Sequence, residues 1–371
     1  MFNIIRNTIC FLSCLLFTSS SFAFSVTFIN PGKEGERFWD MVTETMQAAA
    51  SDLDIELEVL YAQRNRLQMK QLGIAATQRP LPPDYLILVN EEQAAVDILE
   101  AAADSQIPTL MLLNDFLPSQ RQRVGFPGGK HPHLLGAVTP DNYAAGRRMM
   151  QALAKCSREN NPDSSDHHIL MIAGDRLTPA SIDRNNGAIA ALESDPRLKL
   201  DRLLFANWNR TEARQLTINY LNWAERNNLR PGAIWAANDP IAAGAAEALQ
   251  ARNLQAGQDL CLVGLNWSAE GLDMVHSGTM VLTDGGHFLA GAWSMIALYD
   301  YQQRRLAGDS TPVGELSFDM QSIDATLVQD YRDTLGDERW EKIDFRSFTL
   351  SGKDRDHYDF SLPALFSSVR S

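Results

Sequence analysis

The side chains with chemical potential in this sequence are amides, carboxylates, an arginine and aromatic rings, and they recur just after short apolar runs. Asn30-Pro31-Gly32 leads to Phe38-Trp39, and Asn90-Glu91-Glu92, Asn114-Asp115 and Asp141-Asn142 follow later runs. The series continues with Asp175 and then Arg184, Asn207-Trp208-Asn209-Arg210, Asn238-Asp239, Asn266-Trp267 and Asp284-Gly285-Gly286-His287. One Asn or Asp in such a place is ordinarily a helix cap or turn former. As a set they offer more, because amides and a guanidinium satisfy hydroxyls in fixed directions while an indole or phenyl face covers the apolar side of a ring. That combination suits a polar, ring-shaped ligand with little or no charge. An amino acid would need paired opposite charges, and Arg184 is the principal cation of these loops.

Other chemistries are poorly provided for. His131-Pro132-His133 and His167-His168 have no carboxylate or cysteine at ligand spacing and read as solvated loop histidines, so neither a metal nor another cofactor is expected. Gly128-Gly129-Lys130 lacks the upstream glycine and the following Ser or Thr of a phosphate loop. There is no Gly-x-Ser-x-Gly, and no carboxylate pair stands apart from the abundant Asp, so an enzyme is set aside. Lys+Arg 33 against Asp+Glu 46 gives a net charge of −13 with no basic run, which disfavours nucleic acid and anionic membranes.

The elements that must position these loops alternate. Strands are expected at Val26–Ile29, Leu57–Tyr61, Tyr85–Val89, Thr109–Leu113, Gly136–Thr139, Ile169–Ala173, Arg202–Phe205, Ala233–Ala237, Leu260–Leu265 and Thr279–Thr283. Their continuous apolar character suits strands buried on both faces. Between them lie amphipathic helices; in the first, Phe38, Met41, Val42, Thr45, Met46 and Ala49 share one face. Strand then helix, repeated, is the signature of parallel α/β sheets. At 371 residues, two doubly wound lobes with a cleft between them fit better than one barrel. In such sheets ligands sit beyond the carboxyl ends of the strands.

The first residues have the form of a secretory leader: Arg6, a mostly apolar Thr8 to Phe17, and Ser21-Phe22-Ala23 as the cleavage region. The apolar run is shorter than the about 20 residues a membrane span requires. Cys10 and Cys14 would leave with the leader. Cys261, in the strand-like Leu260-Cys261-Leu262-Val263, and Cys156, at the end of a helical pattern, read as separate core thiols, with export keeping a bridge open.

Asn30-Pro31 before an aromatic pair, Ile107-Pro108-Thr109, Asp141-Asn142 with Gly146, and Arg184 with Gly187 carry a resemblance. Trp208-Asn209-Arg210, Ala237-Asn238-Asp239 with Ala243-Gly244-Ala245, and Val263-Gly264-Leu265-Asn266 extend it in order across about residues 25 to 290. The sequence resembles the type I periplasmic binding proteins of the ribose- and galactose-binding kind. Gly285-Gly286-His287-Phe288 is similar to the branch that includes receptors for furanosyl autoinducers. The resemblance implies an α/β receptor of two Rossmann-like lobes joined by three hinge crossovers. Lobe one would comprise 24–140 with 286–317, lobe two 141–285 with 318–350, followed by a tail at 351–371. It further implies a monomeric, periplasmic protein that closes on a small sugar-like ligand and presents it either to an ABC permease or to a membrane sensor protein. A lactose-repressor-type regulator shares the fold but needs a helix-turn-helix ahead of the first strand, so it is set aside.

Carried over by position, Asn30, Phe38 and Trp39 match the first-strand contacts, and Arg184, Trp208 and Asn238 match the second-lobe arginine, aromatic and asparagine. Asn266 stands where many relatives have an aspartate, and Asn114-Asp115 where an Asp-Arg pair is expected. Asn90, Asp141, Trp267, Asp284 and His287 complete the candidate site from their places at strand ends. Beyond Val328, Tyr331, Leu335, Trp340 and Ile343 fall at roughly helical spacing and are expected to pack on the second lobe.

Overall fold

A computed structural model describes residues 24–370. The leader therefore lies outside the described residues. Among those residues no helix is long and apolar enough to cross a membrane. The chain runs β1 (Phe24–Asn30), α1 (Arg37–Asp52), β2 (Ile55–Tyr61), α2 (Arg66–Thr77), β3 (Tyr85–Leu88), α3 (Ala95–Asp104), β4 (Thr109–Leu112), α4 (Pro118–Val124) and β5 (Leu134–Pro140). It continues α5 (Asn142–Asn160), β6 (His167–Ala173), α6 (Pro179–Glu193), β7 (Leu198–Phe205), α7 (Arg210–Arg226), β8 (Pro231–Ala236), α8 (Asp239–Gln250), β9 (Cys261–Leu265), α9 (Ala269–His276) and β10 (Leu282–Gly285). Last come α10 (Ala290–Leu306), β11 (Gly314–Phe318), β12 (Gln321–Asp324), α11 (Val328–Leu335) and α12 (Leu362–Ser367).

Two 6-stranded sheets result, ordered β11-β5-β4-β3-β1-β2 and β12-β10-β9-β8-β6-β7. Every pairing is parallel except β10 with β12. Strands such as β3, β4 and β9 are buried at every residue, as their uninterrupted apolar sequences require. The chain passes between the lobes after β5, after β10 and between β11 and β12.

In the second lobe α5 and α6 meet backbone to backbone. A Cβ on Gly146 would stand 2.0 Å from the Arg184 carbonyl oxygen, and one on Gly187 would stand 1.9 Å from that of Tyr143. Only glycine permits this approach, and it seats Arg184 directly against Asn142 at the start of α5.

Several elements depart from expectation. The last expected strand, Thr279–Thr283, is shifted: Met280 N–H still bonds the Met274 carbonyl, the first bond to the sheet is from Val281 N–H to the Leu262 carbonyl, and β10 begins at Leu282. β7 begins at Leu198 and β6 at His167. His167 is buried against the Ser157 hydroxyl and His168 pairs with Asp201, so neither is a solvated loop residue. Cys156 and Cys261 are joined in a disulfide, with Cα atoms 6.1 Å apart, and are not separate thiols. Their meeting follows from α5 lying across β9, a tertiary contact that neither local pattern encodes.

The C-terminal chain makes a fourth passage. α11 packs on α9 of the second lobe, where Arg332 pairs with Asp273 at 3.2 Å and Tyr331 meets Trp267 edge to face. From Glu338 onward the contacts belong to the first lobe: Glu338 pairs with Arg37, the Trp340 indole donates to Glu44, and Phe345 N–H and Arg370 bond Asp52. Asp300 of α10 accepts from the N–H groups of Leu350 and Ser351, and Phe360 stacks on Trp293 at 4.3 Å. Packing on the second lobe thus holds for Tyr331 but not for Trp340 and the residues after it.

Candidate functional site

The carboxyl ends of both sheets face each other across a cavity of about 320 Å³. α1 opens with Phe38, Trp39 and Met41 on one wall, and Leu113 with Asn114 comes from the loop after β4. The other lobe contributes Thr178, Ala180 and Arg184 from the start of α6, Trp208 after β7, Asn238 and Pro240 at the head of α8, and Asn266 after β9. His287, just past the second crossing, stacks on Phe38 with ring centroids 4.6 Å apart. Ala180 N–H donates to Asn114 Oδ1 at 3.0 Å, a bond made directly across the cleft.

Local backbone aims these groups. Asn207 and Trp208 are both left-handed, with φ of 47° and 61°, and their turn lays the indole over Gly174, where a Cβ would be 2.2 Å from the ring. The Trp208 indole N–H donates to Asp175 Oδ2 at 2.7 Å, and the Arg184 guanidinium lies over its ring, 5.7 Å from the centroid, on the cavity wall. Gly32 allows Trp39 to fold back in the same way, since a Cβ there would lie 2.3 Å from the indole. Asn238 caps α8 through its Oδ1, accepting from Ile241 N–H, which frees its NH2 group for the cavity side.

The polar groups of the cavity fall into two kinds. Arg64 is bonded to Glu36 and Glu91, Arg37 to Glu44 and Glu338, and Arg210 to Glu247 and Glu270, so these charges neutralise one another. Arg184 has no carboxylate at ion-pair distance among the described residues; Nε donates to Asn142 Oδ1 at 2.7 Å and Nη1 to the Ala237 carbonyl at 3.1 Å. Burial lowers its pKa to about 10, which keeps it charged at neutral pH. Burial, then the Arg184 charge, holds His287 well below the usual histidine range, so its ring is neutral. Trp39 Nε1 and His287 Nδ1 are buried atoms without a hydrogen-bond partner, on residues that line the cavity. Unmet polar atoms of this kind cost about 1–3 kcal/mol each unless a ligand satisfies them.

A cleft of this shape, walled by two similar α/β lobes, is a known architecture. A family-wide profile described as the periplasmic binding protein domain matches residues 26–304. The chain belongs to the periplasmic binding protein family. A periplasmic sugar-binding protein from Pseudomonas fluorescens has 30% sequence identity, with a TM-score of 0.80 over 92% of this chain and 99% of that one. The periplasmic binding protein component of the arabinose ABC transporter of Shewanella sp. ANA-3, solved with arabinofuranose, shares the fold at 18% identity, with a TM-score of 0.71 over 90% of this chain and 100% of that one. The xylitol-binding protein of Mycolicibacterium smegmatis is 30% identical over 155 residues, 41% of this chain and 40% of that protein's length. The chain thus spans about two fifths of the length of this curated relative.

Within this periplasmic binding protein, Phe38, Trp39, Asn114, Arg184, Trp208, Asn238, Asn266 and His287 are brought together on the cavity wall. The remaining candidates lie off it because other partners claim them. Asn30 is buried beneath the first loop, bonding Gly32 N–H and the Thr43 hydroxyl. Asn90 ties its loop to the Asp115 carbonyl and Gln120. Asp115 pairs with Arg121, and Asp141 caps α5 through Ala144 N–H. Trp267 is packed over Gly285 and Gly286 with its N–H on the Gln321 carbonyl. Asp284 is held by Arg148 and Ser322.

Sequence reasoning did not place Glu36, Arg37, Met41, Arg64, Thr178, Ala180, Pro240 or Ser268 at the cavity. Glu91, Asn142, Asn209 and Arg210 stand in the strand-end loops already noted, so their position was the available signal. Among the described residues no three His, Cys, Asp or Glu side chains cluster as metal ligands do.

Proposed function

We propose that this protein is an exported solute receptor that closes its lobes over one small neutral sugar or polyol and presents it to an ABC importer. The observation that carries this reading is the cavity wall itself. Phe38 and Trp39 bring aromatic rings from one lobe and Trp208 from the other, while the Arg184 guanidinium and the Asn238 amide offer hydrogen-bonding groups. A sugar ring has the matching surface, with C–H faces for the indoles and hydroxyls for donors and acceptors. Self-neutralised charges around the cavity favour an uncharged ligand over an amino acid. The volume of about 320 Å³ lies at the small end for ligand pockets. Relatives named for xylitol, arabinose and sugar binding support the same class. Asn114 and Ala180, bonded across the cleft, would be a latch of the closed form, with the crossings after β5, after β10 and between β11 and β12 as the hinge.

Thermal-shift and calorimetric titration with D-ribose, L-arabinose, D-galactose, xylitol and myo-inositol, with leucine as control, tests this. Stabilisation by at least one sugar or polyol is expected, together with slower uptake of that compound by cells lacking the gene. Stabilisation by leucine and by none of the others would overturn the assignment. Secreted protein is expected to begin near Phe24, which N-terminal sequencing reads directly.

A further inference from the structure

A second cavity, of about 510 Å³, adjoins the first and is likewise lined from both lobes. Glu36, Arg64, Glu91, Trp208 and Asn209 line both. The first, inner chamber is walled by Phe38, Trp39, Met41 and Leu113, whereas the second, outer one adds Lys33, Arg66, Glu92 and Asp175 and is the more polar of the two. Arg64, with its partners Glu36 and Glu91, belongs to this shared wall. Its Nε donates to Glu36 Oε2 at 2.9 Å and its Nη1 to Glu91 Oε1 at 2.6 Å, so one side chain bridges the loops after β1, β2 and β3. It also lies over the Trp39 ring, 5.7 Å from the centroid.

The backbone holds it there. Gln63 and Arg64 are left-handed, with φ of 55° and 57°, and their N–H groups bond the Gly32 and Pro31 carbonyls at 2.9 Å each. Two adjacent non-glycine residues in this region are strained, and strain of this kind persists only where surrounding bonds impose it. Burial pushes the Glu91 carboxyl up to about 7, opposed by Arg64, which marks the bridge as partly withdrawn from water.

We propose that Arg64 determines ligand length: its bridge to Glu36 and Glu91 walls the inner chamber at a single sugar ring, and without it a glycosidic substituent would run into the outer chamber. This rests on the sugar-binding reading above. It adds that free monosaccharides are accepted and their extended glycosides refused, and that the refusal resides in one side chain.

The test compares wild type with Arg64→Ala, and with Glu91→Gln as a milder break of the bridge should the first variant fold poorly. Titration uses D-galactose, L-arabinose and D-ribose and the 4-nitrophenyl glycoside of each. Wild type is expected to favour the free sugar by about 100-fold, and Arg64→Ala to narrow this below about tenfold. Equal binding of sugar and glycoside by wild type, or unchanged discrimination in Arg64→Ala, would overturn the proposal. A second readout needs no ligand, because the bridge and Trp39 belong to one lobe and do not depend on closure. Acrylamide quenching of the emission lost in Trp39→Phe should rise about twofold or more when Arg64 is replaced. No sugar bound by wild type would sink the sugar reading while this quenching still decides the wall; unchanged quenching would sink the wall whatever binds.

Discussion

Replacing Arg184 by Met should separate binding from stability. Arg184 is 3% exposed, and its guanidinium bonds two neutral acceptors, Asn142 Oδ1 and the Ala237 carbonyl, and meets no carboxylate at ion-pair distance among the described residues. Its descent from 12.5 to about 10 corresponds to about 3 kcal/mol of unfavourable burial. Methionine removes that burden and fills similar space, but strands two acceptors at about 1–3 kcal/mol each. The opposing effects nearly cancel, so the ligand-free melting temperature should move by only a few degrees. Ligand affinity should behave otherwise, because a hydrogen bond from a cation contributes about 1.5–3 kcal/mol. One such bond to a sugar hydroxyl lost means a Kd about 10- to 150-fold weaker. Calorimetry with the sugar that stabilises wild type, paired with melting of the free protein, reads both quantities. An affinity within threefold of wild type would refute a contact from Arg184, and a free protein that no longer folds would make the residue structural instead.

Gly146→Ala should force α5 from α6, since the new Cβ would stand 2.0 Å from the Arg184 carbonyl oxygen; a loss of about 1–3 kcal/mol in denaturant melts and weaker sugar binding are expected, and unchanged values would contradict the close approach. Reducing the Cys156–Cys261 bridge, or replacing both cysteines by Ala, releases a loop of sequence separation 105 and should cost about 3–5 kcal/mol, read as a lower denaturation midpoint; no change would mean the bond is absent in the folded protein. Glu91→Gln should change the pH dependence of stability. A carboxyl raised to about 7 in the folded state lets wild type hold a proton more tightly, so its contribution is complete below the ordinary carboxylate range and is lost as pH rises from about 4.5 through 7. Gln does not titrate, so the variant should gain on wild type by up to about 3 kcal/mol between pH 5 and pH 8, and a trend of the opposite sign would refute the assignment.

Legibility differed between the fold and the site for a physical reason visible in particular residues. Alternation of buried strands with amphipathic helices is a local property, so Tyr85–Leu88 and Thr109–Leu112 could be read from four consecutive apolar-run residues each. β11 and β12 could not, because exposed and buried positions mix along them and their pairing partners are β5 and β10, far away in sequence. The chain's C-terminal return to lobe one carries no local signal either: Trp340 looks like any amphipathic position until Glu44 and Phe288 are brought against it.

The sequence by itself determined the α/β class, the polar and aromatic character of the strand-end loops, and the family resemblance, since each depends on residue types in local order. Tertiary structure alone decided which of those side chains reach the cavity between the lobes. Asn238 and Asp284 both follow buried strands, yet Asn238 caps α8 with one end and faces the cleft with the other, while Asp284 is consumed by Arg148, 136 positions away. A polar group near a cleft bonds whatever partner packing delivers first, and only one left without such a partner remains free for a ligand.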